Sequence, residues 1–115
     1  MVRRPDEMSA EEKCIRGGNG NTVMKKILTG ADEMNGKGRM FNLMTLAPGR
    51  SIGKHTHEGD SEVFYFLSGS GKYCDNGNDV RVGPGDAALC RDGECHSLEN
   101  DTDSDLVFIA VILYS

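Results

Sequence analysis

Turn-forming residues interrupt this chain at short intervals, and their spacing leaves room only for short regular elements. Glycine supplies 15 of the 115 residues, and clusters such as residues 35–38 and 83–86 combine it with asparagine, proline or aspartate. Short apolar segments lie between the turn clusters, at residues 22–29, 39–47, 62–67, 72–74, 80–82, 87–90, 95–98 and 106–114. Eight or more short strands joined by tight turns are typical of a β-sandwich or a jelly-roll barrel. The sequence therefore predicts an all-β fold.

The length of the chain indicates one folded unit. A chain of 115 residues can bury a single core, but we expect no room for a second module such as a fused DNA-binding domain. Residues 1–20 are polar and show no apolar alternation, which predicts a short irregular N-terminal arm. We expect residues 21–115 to form the β-barrel domain.

The charge distribution argues against nucleic acid as a partner. Residues 51–115 hold four basic and twelve acidic side chains, whereas binding to phosphates requires a basic stripe. No segment reaches the roughly 18 apolar residues of a membrane span, and residues 1–8 lack the apolar core of a signal peptide. We therefore expect a cytoplasmic protein that binds no membrane, with its four cysteines as free thiols.

Two predicted strands are apolar on both faces, unlike a strand with one face in water. Residues 63–67 read Val-Phe-Tyr-Phe-Leu, and residues 106–114 contain a single polar group, the hydroxyl of Tyr114. Something must cover the second face of these strands. A second copy of the chain is the simplest cover, which predicts a homodimer packed through its sheets. The alternative is that the N-terminal arm folds over this face.

All three histidines of the chain contribute to one candidate metal site. His55 and His57 are two residues apart, so on a strand both imidazoles point to the same side. Glu62 opens the next apolar strand, and its face continues with phenylalanines. His96 begins another strand and can complete the set from across a barrel. The alternative is that these histidines lie in an exposed glycine-rich loop and bind no metal.

Three imidazoles and one carboxylate suit a single divalent transition metal, namely Mn, Fe, Ni, Cu, Co or Zn. Calcium and magnesium prefer shells made only of oxygen ligands. In a six-coordinate ion, four protein ligands leave two positions for water or substrate, as in reactive sites. Cys90 and Cys95 flank the turn before His96, but their spacing matches no common zinc motif.

Two segments of the chain resemble the conserved motifs of the cupin superfamily. The run from Gly49 to Gly69 reads G-x5-H-x-H-x4-E-x6-G, which is the first cupin motif at every defined position. Fifteen residues later the chain matches the second motif, G-x5-P-x-G-x2-H-x3-N, except that Arg91 stands in place of proline. The matching positions of the second motif are Gly85, Gly93, His96 and Asn100.

The resemblance covers roughly residues 39–112. The chain as a whole resembles a small, stand-alone, single-domain cupin. It implies a double-stranded β-helix, the jelly-roll barrel of the cupins. It also implies that the metal ligands are His55, His57, Glu62 and His96. The departure at Arg91 removes a restriction on φ from the turn before His96 but removes no ligand. Arg91 is either a solvated turn residue or a group at the pocket mouth that attracts an anion.

A substrate pocket can be sketched from the apolar residues near the predicted ligands. The candidates for its wall are Met44, Phe64, Phe66 and Phe108, which can equally belong to the barrel core. Tyr65 and Tyr73 have the same parity on one predicted hairpin, opposite to that of Glu62. On that basis neither tyrosine is assigned to the site.

The residues favour two functions from different classes. One is a metal-dependent enzyme in which open metal positions accept the oxygen atoms of a small substrate. The cupin resemblance implies dioxygenation, oxidative carbon–carbon cleavage, decarboxylation or sugar isomerisation of small oxygenated metabolites, as in oxidoreductases, lyases or isomerases. The other is a non-catalytic protein whose barrel binds a small molecule or a metal. The ligand set does not choose among these reactions.

Overall fold

The computed structural model describes residues 1–115, which form ten strands. Their bounds are β1 Ala10–Lys13, β2 Thr22–Lys26, β3 Gly38–Leu46, β4 Ser51–Thr56, β5 Asp60–Ser68, β6 Gly71–Asp75, β7 Asn78–Val82, β8 Ala87–Cys90, β9 Cys95–Glu99 and β10 Leu106–Tyr114. The helical segments are a 3-10 turn at Pro5–Glu7 and one α-helical turn, α1, at Gly30–Glu33. Neither has the length and apolar character that crossing a bilayer requires.

The strands form two antiparallel sheets. The larger sheet has the order β1-β2-β3-β10-β5-β8, and the smaller sheet has the order β4-β9-β6-β7. Strands that follow one another in the chain often lie in different sheets, as β3 and β4 do, and β5 and β6. This arrangement is the double-stranded β-helix of a jelly-roll barrel and confirms the predicted all-β fold.

The core lies between the two sheets and is built by alternation along the strands. On β10 the side chains of Leu106, Phe108, Ala110 and Ile112 are buried, and the residues between them are not. β5 contributes Phe64 and Phe66 from the neighbouring position in the larger sheet. The smaller sheet supplies residues such as Ile52, Tyr73 and Leu98 to the same cluster.

The hairpin between β6 and β7 shows how the turn chemistry of the sequence sets the register. Its two-residue loop is Asn76-Gly77, with φ angles of 48° and 91°. Both positive values belong to a type I′ turn, whose twist matches that of the flanking strands. Asparagine and glycine are the residues that tolerate them most readily.

The first twenty residues contain two short regular elements, the 3-10 turn at Pro5–Glu7 and the strand β1. Ala10–Lys13 pairs with β2 as an edge strand, and Ala10 lies opposite Lys25. All four residues of β1 are exposed, which explains why this strand has no apolar alternation in the sequence. β1 lengthens the larger sheet at its edge, far in strand order from β5 and β8.

The outer face of the larger sheet remains apolar and open. Tyr65, Leu67, Leu89 and Leu113 are each more than 40 % exposed, and they lie on the adjacent strands β8, β5 and β10. The N-terminal segment therefore does not cover this face, so the alternative of a folded-over arm is wrong. These four residues define the outer face.

Candidate metal centre

A bulge in β4 directs the first two histidines into the barrel. The register between β4 and β9 shifts between Ile52 and His55. Before the shift the even-numbered Ile52 is buried, and after it the inward positions are the odd-numbered His55 and His57. Bulges re-aim side chains in this way and often include glycine, here Gly53.

Glu62 and His96 reach the same point from the two sheets. Glu62 lies on β5 with Phe64 and Phe66 on its inward face, as predicted. His96 lies on β9 and is paired in register with His55 of β4. Both side chains are buried, with exposed fractions of 5 % and 1 %.

The four predicted ligands form one cluster, in which the candidate ligand atoms all lie within 4.8 Å of one another. Nε2 of His57 and Nε2 of His96 are each 3.1 Å from Oε1 of Glu62. Nε2 of His96 is 3.2 Å from that of His57 and 3.1 Å from that of His55. His55 Nε2 and Glu62 Oε1 are farther apart, at 4.0 Å.

In two histidines the outer ring nitrogen, Nδ1, which faces away from the cluster, lies beside a group that can only accept a hydrogen bond. His55 Nδ1 donates to the carbonyl oxygen of Gly53 at 2.7 Å, and His57 Nδ1 donates to Oδ1 of Asp60 at 2.7 Å. With the proton on Nδ1, the Nε2 atom of a neutral imidazole keeps a free lone pair. Both lone pairs then face the cluster. Partners of this kind orient the histidines of metal sites.

Tyr73 holds the third histidine, although the parity argument left this tyrosine outside the site. Its hydroxyl oxygen is 2.8 Å from Nδ1 of His96, and its side chain is buried. The parity argument was wrong because β5 and β6 lie in different sheets and do not form a hairpin. Tyr65, on β5, is 45 % exposed and lies on the outer face.

Buried charge is balanced within the cluster. Burial alone would raise the pKa of Glu62, but His57 and His96, when they are protonated and donate to its carboxylate, outweigh burial and lower that pKa. The bond with Glu62 raises the pKa of His57, whereas burial lowers the pKa of His55. Burial also tends to raise the pKa of Asp60, but the hydrogen bonds that it accepts from His57 and Arg39 outweigh burial and lower that pKa. Both carboxylates are therefore ionised at neutral pH.

This donor set fits a divalent transition metal. The imidazole Nε2 atoms and the carboxylate oxygen Oε1 lie 3.1 to 4.0 Å from one another. Lone pairs this close repel one another unless a cation or a proton lies among them. Two ligands about 2.1 Å from a metal, at right angles, are about 3.0 Å apart. The shorter separations match that value. The nature of the donors admits any of the six metals named above and does not select one.

Three of the four cluster residues line a cavity of about 270 Å³, and His96 lies behind them. Of the predicted wall residues, Met44 and Phe64 line this cavity beside His55, His57 and Glu62. The structure places Phe66 and Phe108 elsewhere, in the closed core, where both are 0 % exposed. These two phenylalanines point inward but contact other core rings instead of the cavity.

Three basic residues at the cavity were not identified from the sequence. Lys13, Arg16 and Arg39 line it, and no carboxylate other than Glu62 does. Lys13 and Arg16 belong to the segment predicted as an irregular arm, so the sequence carried no signal that they reach the site. Arg91 is absent from the cavity wall, exposed in its turn, and donates its backbone N–H to Glu94.

The chain is similar to known proteins in sequence and in overall structure. The chain is 43% identical to an oxalate-binding protein of Thermotoga maritima, over 98% of this chain and 93% of the relative. It is 30% identical to an L-ectoine synthase of Rhodococcus opacus, over 90% of this chain and 76% of that enzyme. A crystal structure of a predicted oxalate decarboxylase from Thermotoga maritima superposes with a TM-score of 0.94 at 42% identity, covering 100% of both chains.

The family assignment rests on more than these pairwise similarities. Residues 42–112 match the cupin domain family, and this range contains both motifs and all four residues of the cluster. The two-sheet barrel that carries the cluster is the fold expected of that family. The chain belongs to the cupin family.

Proposed function

We propose that this cupin binds one divalent transition metal through His55, His57, Glu62 and His96 and uses the site to bind a small dicarboxylate such as oxalate. The observation that carries the proposal is that three residues of the four-residue cluster, His55, His57 and Glu62, line a cavity whose wall also holds three cations. The relative named as an oxalate-binding protein supports the choice of anion.

The residues around the cluster have separate parts in this proposal. A bound divalent ion supplies a Lewis acid that attracts carboxylate oxygens. Gly53, Asp60 and Tyr73 hold the three imidazoles so that their Nε2 atoms face inward. Glu62 supplies one negative charge, which leaves the site with a net positive charge when a divalent ion is bound.

The shape of the cavity supports a ligand of few atoms. A volume of about 270 Å³ lies at the lower end of small-molecule pockets. Phe64, Met40 and Met44 form apolar parts of its wall, which limit water near the cluster and strengthen the attraction between unlike charges. Arg39 donates through Nε to Asp60 at 2.9 Å, which fixes its guanidinium beside the cavity.

Decarboxylation is the second candidate, favoured by the structural relative described as a predicted oxalate decarboxylase. Conversion of hydrogen oxalate into formate and carbon dioxide breaks one carbon–carbon bond and moves one proton to carbon. The cavity wall holds no carboxyl group except Glu62, which is part of the cluster, so a separate carboxylic acid is missing there. Binding is therefore the function that the geometry supports best.

Calorimetric titration of oxalate into untagged protein loaded with Mn²⁺ tests the proposal. We expect saturable binding to the wild type and none to His57→Ala, since that variant lacks a residue of the cluster. Formate and carbon dioxide in the same mixtures would identify the decarboxylase. If the wild type bound no oxalate, or if both proteins bound it equally, the proposal would be wrong.

We also propose that the chain forms a homodimer through the outer face. Strands β5 and β10 place no charged side chain on it, and Tyr65, Leu67, Leu89 and Leu113 leave a contiguous apolar surface. Apolar surfaces of this kind mark interaction sites. A second copy presents the same surface, so a twofold axis through the face covers both copies at once.

A further inference from the structure

The N-terminal segment reaches the metal cavity from outside the barrel. Lys13 ends β1, and Ile15 and Arg16 follow it in the turn that leads towards β2. All three residues line the cavity together with His55, His57 and Glu62. A segment outside the family match therefore completes the wall of the proposed binding site.

The turn that carries Arg16 is docked on the strand that carries His55. The carbonyl oxygen of Ile15 accepts hydrogen bonds from the backbone N–H of Gly53, at 3.1 Å, and of Gly18, at 3.0 Å. Arg16 has a φ of 54°, a left-handed conformation that is uncommon for a residue with a side chain. A methyl group on Gly53 would overlap the carbonyl oxygen of Arg16. The close approach of the two backbones thus depends on glycine.

A second set of hydrogen bonds holds the same turn at Asn19. Asn19 donates its backbone N–H to Oγ of Ser51 at 2.7 Å and its side-chain amide to the carbonyl oxygen of Gly49 at 2.7 Å. The backbone N–H of Ser51 in turn donates to the carbonyl oxygen of Asn19 at 2.9 Å. These bonds anchor the segment to β4 at both ends of the turn. The backbone of the turn is therefore fixed beside the cavity, and the exposed side chains of Lys13 and Arg16 extend from it.

Lys13 and Arg16 are cations without a carboxylate partner. None of the ion pairs in the structure includes either residue. Arg39, the third cation at the cavity, differs because Asp60 accepts from its Nε. The chain carries a net charge of −5, so this group of basic side chains runs against the overall charge. Uncompensated cations beside a metal cluster favour ligands with more than one negative charge.

We propose that Lys13 and Arg16 determine the charge specificity of the cavity, so that dicarboxylates bind in preference to monocarboxylates. This inference rests on the proposed function, because it assigns the discrimination between anions at that same site. Both residues act on the ligand by their charge, whereas the four-residue cluster holds the metal. Removing them lowers the affinity for a dianion more than for a monoanion.

The double variant Lys13→Ala/Arg16→Ala tests the inference against a control that loses the same two charges. Lys54→Ala/Lys72→Ala removes two lysines that line a groove on the smaller sheet and do not line the metal cavity. Oxalate and acetate are titrated into each Mn²⁺-loaded protein, with metal content measured alongside. A second variant, Lys13→Gln/Arg16→Gln, keeps longer side chains and guards against a folding defect.

We expect oxalate affinity to fall about tenfold in both cavity variants and acetate affinity to fall about threefold, with unchanged metal content and an unchanged control. Oxalate affinity that survives in the cavity variants, or that falls equally in the control, overturns the inference while the proposed function stands. If the wild type binds acetate and oxalate equally, charge discrimination is absent and the inference is wrong. A wild type that binds metal but no oxalate overturns the proposed function itself.

Discussion

Each histidine of the cluster is positioned by the partner of its outer nitrogen. A carbonyl oxygen, a carboxylate and a phenol oxygen serve His55, His57 and His96. The three partners come from different elements, namely the bulge in β4, the start of β5 and the middle of β6. Metal affinity should therefore depend on residues that never touch the ion.

Asp60→Asn is expected to lower metal affinity about 10- to 100-fold, because the charged acceptor of His57 Nδ1 is lost. The variant also loses the charge that pairs with Arg39. Competition with a chromogenic chelator measures the affinity. Asp101→Asn is the matched control, since Asp101 pairs with Arg81 on the surface, away from the cluster. Equal affinities in the two variants would remove Asp60 from the proposed set of supporting residues.

Cys90 is expected to resist thiol reagents in the native protein. Its side chain is 2 % exposed, and burial raises the pKa of the thiol to about 12, so it holds almost no thiolate at pH 8. Cys14 is exposed and should react first. Ellman's reagent, followed by mass spectrometry of the labelled peptides, distinguishes the two. Labelling of Cys90 as fast as that of Cys14, without unfolding, would contradict its burial.

Among the individual residues, the sequence predicted the cluster and two residues of the cavity wall, Met44 and Phe64, but neither the partner of His96 nor the cations at the cavity. The spacing of His55, His57 and Glu62 is local information, and the second motif added His96. Tyr73 and Arg16 reach the site only through the pairing of strands that are distant in the chain. A parity rule applied within one hairpin cannot place a residue of another sheet.

Among the elements, β4 connects the N-terminal segment to the cluster. Its Gly53 lies in the bulge, accepts from His55 and contacts the backbone of Arg16. A side chain at this position has no free space, because the neighbouring atoms are backbone atoms. Gly53 of β4 therefore connects the backbone conformation of the turn that carries Arg16 to the orientation of the His55 imidazole.

Gly53→Ala is expected to destabilise the fold by about 1–3 kcal/mol, since a methyl group must displace the backbone of the turn. Gly83→Ala is the matched control: its nearest neighbour is 3.9 Å away, and its effect should stay within about 0.5 kcal/mol. Urea unfolding of both metal-free variants measures the difference. Equal midpoints and slopes for the two variants would show that the turn is not docked on β4.

Strands could be predicted where turn-forming residues or an alternation of buried and exposed residues is visible in the sequence. The Asn76-Gly77 loop and the alternation along β10 carry such signals. β1 carries none, because all four of its residues are exposed and its strand state comes from hydrogen bonds with the edge of β2. The bulge in β4 was also hidden, although its glycine is compatible with one.

The whole molecule presents an apolar outer face that the proposed homodimer covers. Light scattering coupled to size exclusion should give twice the chain mass of 12.5 kDa. Tyr65→Lys places a charge in the face and should yield monomers. Val80→Lys is the control, because Val80 is 47 % exposed on β7 of the smaller sheet. A monomeric wild type, or a dimer that tolerates Tyr65→Lys, would contradict the proposed interface.

We propose that this barrel holds one metal ion through four side chains drawn from both of its sheets. The most direct measurement is the metal content of untagged wild type and His96→Ala, each dialysed with Mn²⁺ and then freed of unbound ions. We expect about one ion per wild-type chain and less than about a tenth of that in the variant. An empty wild type, or equal metal content in the two proteins, would contradict it.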